Sequence, residues 1–330
     1  MNILIADKLD PAVIERLGRE HSLTVVPDAD GESLAAAAAD AKPEILIVRS
    51  TKVTAAVFDA APTLRMVIRA GAGVDNIDSD TASARGVAVC NCPGTNAVAV
   101  AELAIGLLVA CDRRIPDQQQ ALLAGRWDKP GFAKARGLKG RTLGIVGVGA
   151  IGREVITRAK AFGVHIIAWS RSLTPEAASD LGTEFGGSSR DDLLAMLTKC
   201  DAVSLHVALS DDTRHLADAE FFAALPDGAI VINTARGGVL DEAALRDAVN
   251  NRGFRAGLDV HETQPKPTDT EFDAATISQP GIYGTHHCGA STAQAQAAVG
   301  EAVVAIVRSF ADNGHTLNCV NADRLKTATA

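Results

Sequence analysis

The strongest constraint on the fold is an alternation: short, almost wholly apolar runs are separated by segments whose apolar residues recur at helical spacing. Residues 3–6, 23–26, 45–48, 66–68 and 87–90 read as strands, and 11–19 and 31–41 between them as helices. Strands apolar on both faces need cover on both sides, which parallel sheets with crossover helices provide. A helix is expected from Ala97 to about Arg114, capped by Thr95 or Asn96, with Pro116 beyond its end and an irregular crossing over residues 124–138. A second series follows at Thr142, 164–169, 202–206, 229–233, 256–259 and 283–285. The last helix is expected from about Ser291 to Asp312, stopped by Asn313-Gly314, with a frayed tail over 321–330. The length of 330 residues suits two such α/β domains.

Composition narrows the partners. Lys and Arg number 32 against 40 Asp and Glu, a formal net charge of −8, and no basic tract interrupts the pattern. Nucleic acid is therefore not an expected partner. No apolar run approaches the roughly 18 residues that a membrane span needs, and residues 1–7 read as a first strand rather than a targeting segment. The six cysteines are spaced neither as metal ligands nor as a disulfide framework, so reduced thiols in a cytoplasmic protein are expected, with no metal.

Chemistry first becomes visible in Gly147-Val-Gly149-Ala150-Ile151-Gly152, which lies between an apolar strand and a helix, with a second strand at the right distance. Gly147 permits a tight turn, Gly149 lets backbone N–H groups approach a pyrophosphate, and Gly152 lets helix and strand pack closely. The second strand ends in Trp169-Ser170-Arg171-Ser172, with no carboxylate to receive a ribose 2′-hydroxyl. Arg171, with Ser170 and Ser172, is instead suited to a 2′-phosphate. NADP(H) is thus favoured over NAD(H), for which Arg171 would merely stack on the adenine.

Further segments join this motif: 231–241 with Arg236, 256–265 with Asp259 and Gln264, 284–292 with His286-His287, 69–78 and 91–102. Together they resemble the D-isomer-specific 2-hydroxyacid dehydrogenases over nearly the whole chain, and within that family the phosphoglycerate dehydrogenases most closely. The resemblance implies two Rossmann-like or flavodoxin-like parallel-sheet domains, the nucleotide domain (98–287) being inserted into a substrate-binding domain (1–97 with 288–330). It also implies a homodimer formed through the region after Asn96. Arg236 matches the arginine that holds and polarises a 2-oxo acid, a task suited to its permanent planar charge. His287 matches the acid/base histidine. Thr234, Ala235 and Asp259 join the cofactor's surroundings. The small anionic substrate is assigned to the loop Gly71-Ala72-Gly73, Asn96, and the cations at Arg49-Ser50 and Arg69. Hydroxypyruvate and glyoxylate are alternative substrates, and a non-catalytic dinucleotide sensor is a different class of reading.

One position departs from the family pattern. Where a Glu usually pairs with the catalytic histidine, this chain has Gln264. A neutral amide can orient the imidazole but adds no charge to stabilise the imidazolium. Formate dehydrogenases of the same superfamily use such a pair, which makes formate another alternative. Glu262, two residues earlier, is a candidate to supply the missing charge.

Overall fold

The structure is a computed structural model that describes residues 1–27, 29, 31–265 and 271–325. It divides into two compact units: Met1–Asn96 with Ser291–Ala330, and Ala97–Ala290.

The first unit holds a five-stranded, all-parallel sheet of β1 (Asn2–Ile5), β2 (Ser22–Val25), β3 (Ile45–Val48), β4 (Met66–Arg69) and β5 (Ala88–Asn91), in the order β2-β1-β3-β4-β5. Alternate side chains of β3 serve opposite cores. Ile45 and Ile47 pack with Val13, Val303, Val307 and Phe310, whereas Leu46 and Val48 pack with Leu34, Val57 and Phe58. Each such fully buried side chain contributes about 1.5–3 kcal/mol, and no face of β3 is left for polar residues. The closing helix Ala293–Asn313 belongs to this unit. Thr292 caps it by accepting the Ala295 N–H, and Gly314 ends it in the left-handed conformation.

The second unit is also an all-parallel sheet, with seven strands in the order β12-β11-β10-β9-β6-β7-β8. They are β6 (Thr142–Val146), β7 (His165–Trp169), β8 (Glu184–Phe185), β9 (Ala202–Leu205), β10 (Ile230–Asn233), β11 (Arg255–Leu258) and β12 (Ile282–Gly284). The helix Ala97–Arg113 packs on β10 and β11 so tightly that a Cβ at Gly257 would lie 2.7 Å from the Leu107 Cβ. An alanine-rich helix makes that approach feasible.

Three local expectations are corrected. Neither Thr95 nor Asn96 caps Ala97–Arg113: the Thr95 hydroxyl donates back to the Cys92 carbonyl at 2.9 Å, and the buried Asn96 Oδ1 accepts no hydrogen bond from the described residues. Pro116 does not stand outside helical structure. Arg114 takes a left-handed turn (φ 55°) and a new helix, Ile115–Leu123, starts with Pro116 in its first turn, where a missing N–H costs nothing. Nor is 124–138 irregular throughout, since Asp128 caps a short helix, Lys129–Phe132.

The C-terminal segment is not frayed from Asn321 onward. The Asn321 side chain is buried, accepts the Val89 N–H at 2.8 Å, and donates to the Ser83 hydroxyl at 2.9 Å and the Val87 carbonyl at 3.0 Å. One amide thereby ties the segment to β5. Residues 326–330 of the expected tail lie outside the described residues.

Candidate active site in the dinucleotide-binding unit

In the order β10-β9-β6-β7 the chain reverses direction of growth between β6 and β9, and ligands of such sheets bind beyond the carboxyl ends of the strands at that point. The glycine motif lies there. Gly147 has φ +100°, and a Cβ on it would lie 2.7 Å from the backbone of His206, the residue after β9. Gly152 packs against the Gly147 carbonyl, which a Cβ would approach to 2.1 Å. Nothing lies within 4 Å of a Cβ built on Gly149, so the backbone that opens helix Ala150–Lys160 is unobstructed. A helix N-terminus presenting open N–H groups suits a pyrophosphate.

Two buried polar atoms at neighbouring strand ends have no partner among the described residues: Nδ1 of His206 after β9, and Oγ1 of Thr234 after β10. Buried polar groups are nearly always hydrogen-bonded, so a bound polar ligand is the natural partner for both. These residues therefore fit a dinucleotide. Beyond β7, Ser170 is half-buried and Arg171 exposed, and the Arg171 Nη1 donates to the Asp212 carboxylate at 2.6 Å.

The loop after β12 carries His287, whose backbone is left-handed (φ 51°). Behind it lies Asp259, 2% exposed, at the end of β11. Its Oδ1 accepts the Thr285 hydroxyl at 2.6 Å and the Cys288 N–H at 2.9 Å; its Oδ2 accepts the Gly289 N–H at 2.9 Å. Asp259, expected in the cofactor's surroundings, thus spends three of the roughly four acceptor positions of a carboxylate on the loop. His287 Nδ1 meets the Gln264 Oε1 at 2.9 Å. An amide oxygen can only accept, so Nδ1 carries a hydrogen and Nε2 is the nitrogen that gains or loses a proton.

Arg236 follows β10 and is half-buried. Its turn is set by Asn233, which accepts the Ala235 N–H at 3.0 Å and donates to the Arg236 carbonyl at 3.0 Å. Gly237 then lies against the His261 carbonyl, where a Cβ would come within 1.9 Å. His261 Nε2–H donates to the Thr285 carbonyl at 3.2 Å, joining the Gln264 segment to the His287 loop. Glu262 does not supply a charge to His287. Its Oε1 is 2.7 Å from the His215 Nε2, so its carboxylate is turned to another ring.

The first unit is arranged separately. After β4, the Arg69 guanidinium lies over Gly71, where a Cβ would come within 1.7 Å of its Nη1, and its Nε donates to the Arg49 carbonyl at 3.0 Å. The loop Gly71-Ala72-Gly73 is pinned from β5: Asn91 Nδ2 donates to the Ala72 carbonyl at 2.5 Å and the Cys92 N–H to the Gly71 carbonyl at 2.9 Å. The Arg49-Ser50 segment is held from within the unit. Asp7, at the β1–β3 reversal point, accepts the N–H groups of Arg49, Ser50 and Thr51 at 2.6, 3.1 and 3.1 Å and the Ser50 hydroxyl at 2.8 Å. An internal carboxylate thus holds three backbone N–H groups and the Ser50 hydroxyl, none of them the Arg49 guanidinium assigned to the phosphate.

Asp7, His206 and Asp212 were not singled out from the sequence. A polar residue just after a strand flanking the reversal point was a usable signal for the first two; Asp212 is joined to Arg171 only by the fold.

The comparisons agree with this geometry. Residues 105–289 match the family model of the D-isomer specific 2-hydroxyacid dehydrogenase NAD binding domain. The chain is 42% identical over 288 residues to a hydroxypyruvate reductase of Thermotoga maritima, covering 87% of this chain and 86% of that one. It is 41% identical over 308 residues to a D-3-phosphoglycerate dehydrogenase of Mycobacterium bovis, covering 93% of this chain but spanning only 56% of that protein's length. Among solved structures, the NADPH-dependent glyoxylate/hydroxypyruvate reductase of Sinorhizobium meliloti, in complex with NADP and malonate, superposes with a TM-score of 0.83 at 31% identity, over 99% of this chain and 98% of that one. The chain belongs to the D-isomer-specific 2-hydroxyacid dehydrogenases, oxidoreductases that use a nicotinamide dinucleotide.

The burial of His206 gives a pH signature. Burial pushes its pKa down to about 3, so the unfolded chain, with an ordinary histidine pKa, binds a proton that the folded one refuses as pH falls below about 6.5. Stability should therefore decline between about pH 6.5 and 4 by up to about 1.4 kcal/mol per pH unit from this residue. In His206→Asn, denaturant unfolding should lose that component of the slope; an unchanged slope would refute it.

Proposed function

We propose that the chain moves a hydride between NADP(H) and C2 of a small anionic D-2-hydroxy acid, with D-3-phosphoglycerate as the preferred acid. The observation that carries the chemistry is the Asp259-braced loop holding His287 against Gln264. In the oxidative direction neutral His287 accepts the hydroxyl proton at Nε2 as the hydride leaves C2, while Nδ1–H stays on Gln264. In reduction the imidazolium returns that proton to the alkoxide oxygen. The bound nicotinamide supplies the hydride acceptor or donor. Arg236 holds the carboxylate and polarises the C2 oxygen. The second unit is thus the cofactor unit and the first the substrate unit, where Arg69, Gly71-Ala72-Gly73 and Asn96 receive the acid.

The phosphate reading rests on Arg49 and Arg69, cations at the ends of adjacent strands β3 and β4. Hydroxypyruvate or glyoxylate is the second reading, favoured by the Asp7 carboxylate beneath residues 49–51. A panel of D-3-phosphoglycerate, hydroxypyruvate, glyoxylate and formate with both cofactors decides: the highest kcat/KM is expected for D-3-phosphoglycerate. Turnover of formate alone, or of none, would overturn the proposal. The exposed apolar side chains Ile115, Leu122, Leu123 and Trp127 support a homodimer formed through this stretch.

The cofactor preference depends on whether Asp212 blocks Arg171. Both side chains are well exposed, and such ion pairs contribute only about 0–1 kcal/mol, less than a phosphate pairing with the arginine fork offers. NADP(H) therefore displaces Asp212. Arg171→Ala should weaken NADPH binding by about tenfold or more while changing NADH binding little, and Asp212→Asn should tighten NADPH a few-fold, both read by fluorescence titration. Equal losses for the two cofactors in Arg171→Ala would sink the reading.

Gln264 makes the second test. Reductive kcat/KM falls as pH rises and the imidazolium is lost; a carboxylate at 264 would stabilise that imidazolium and move the falling limb up by about one pH unit. Gln264→Glu with an unmoved limb would contradict the pairing argument.

A further inference from the structure

Cys90 and Cys319 face each other across a short antiparallel bridge between β5 and the C-terminal segment. The Asn91 N–H donates to the Asn318 carbonyl at 3.3 Å and the Val320 N–H to the Val89 carbonyl at 2.8 Å. Those two bonds bracket the cysteines, which makes them a non-hydrogen-bonded pair, the kind whose α-carbons approach to about 4.5 Å. Disulfides span α-carbon separations of about 4.4–6.8 Å, a range that pairs of this kind fall within. Both residues pack in the same core, Cys90 fully buried and Cys319 at its partly exposed rim. Asn321 fixes the register from two residues further on, holding Val89 and Val87 on the strand that carries Cys90.

We propose that Cys90 and Cys319 are a redox-modification site, forming a reversible disulfide that staples the C-terminal segment to β5. The co-reactant is a low-molecular-weight disulfide such as oxidised glutathione. The Cys319 thiolate attacks one glutathione sulfur, breaking that S–S bond and expelling one glutathione thiolate. The Cys90 thiolate then attacks the Cys319 sulfur of the mixed disulfide and expels the second. The two protons lost from the cysteines end on the two glutathione thiols, and the two electrons reduce the glutathione disulfide.

Burial, with smaller contributions from like-charge repulsion and a hydrogen bond with the Cys319 sulfur beside it, pushes the Cys90 thiol up to about 12. The closing attack is therefore slow at neutral pH and faster in alkali, and the reduced pair survives brief oxidant exposure. Cys92 lies on the same strand face but is not opposite Cys319; its thiol approaches the Val299 carbonyl instead. The staple acts on the strand whose next residue, Asn91, holds the loop at Ala72. It requires nothing of the hydride-transfer reading.

The full chain is equilibrated at pH 8 in graded ratios of oxidised to reduced glutathione, quenched with acid, unfolded, alkylated and digested with trypsin. Alkylatable thiols should fall from six to four, with one linked species joining peptides 86–113 and 309–324, placed by fragmentation on Cys90 and Cys319 and removed by dithiothreitol. Cys92→Ser should form the same link, and Cys319→Ser should keep all five of its thiols. Six thiols surviving the most oxidising ratio, Cys319 carrying only glutathione, or a link to Cys92 or to a second chain would each overturn the proposal.

Discussion

One buried carboxylate holds the proposed catalytic constellation in place. Asp259 sits at the end of β11 with its charge enclosed, and the His287 loop supplies its hydrogen-bond donors. His287 stands in a left-handed conformation that costs an ordinary residue about 1–2 kcal/mol. Each hydrogen bond to a charged acceptor contributes about 1.5–3 kcal/mol, so three of them outweigh that strain. The loop is thus held in a shape it would not choose. Gln264 sets the ring's tautomer from one side, and the His261–Thr285 contact ties its segment to the same loop.

The same device recurs in the first unit with a different result. Asp7 also stands just after a strand at a sheet's reversal point, and it too gathers backbone N–H groups and a hydroxyl from the next crossover. There the carboxylate lies under residues 49–51, where the sequence had placed an anion-binding segment. The position is one where the sheet topology favours ligands, but its backbone donors are satisfied from within.

How much of this was legible in the sequence depended on whether the signal was local. Both parallel sheets could be read, because strands buried on two faces lack polar alternation, as residues 45–48 illustrate. The glycine motif was legible because its own spacing carries it: Gly152 answers to the Gly147 carbonyl five residues earlier, whereas the contact of Gly147 with His206 came only with the fold. The pairing of Gln264 with His287 came from the resemblance and has its counterpart in the 2.9 Å contact. What failed depended on contacts distant in sequence. Asn321 looked like tail because the three partners that tie it to β5 and its approach lie more than 230 residues away. Glu262 looked available because nothing local reveals His215, and Arg171 looked unopposed because Asp212 is 41 residues further on. Pro116 was read as a stop because the left-handed Arg114 that begins a new helix leaves no mark in composition.

The most direct measurement is the reductive kcat/KM of Asp259→Asn, a substitution that keeps the shape but removes the charge and turns one acceptor into a donor against the loop N–H groups. With circular dichroism showing the variant folded, kcat/KM should fall at least about a hundredfold, as expected if the three hydrogen bonds lose their charged acceptor and the loop no longer holds His287 in place. A folded variant whose kcat/KM stays within about threefold of the parent would contradict the claim that this carboxylate positions the proton donor.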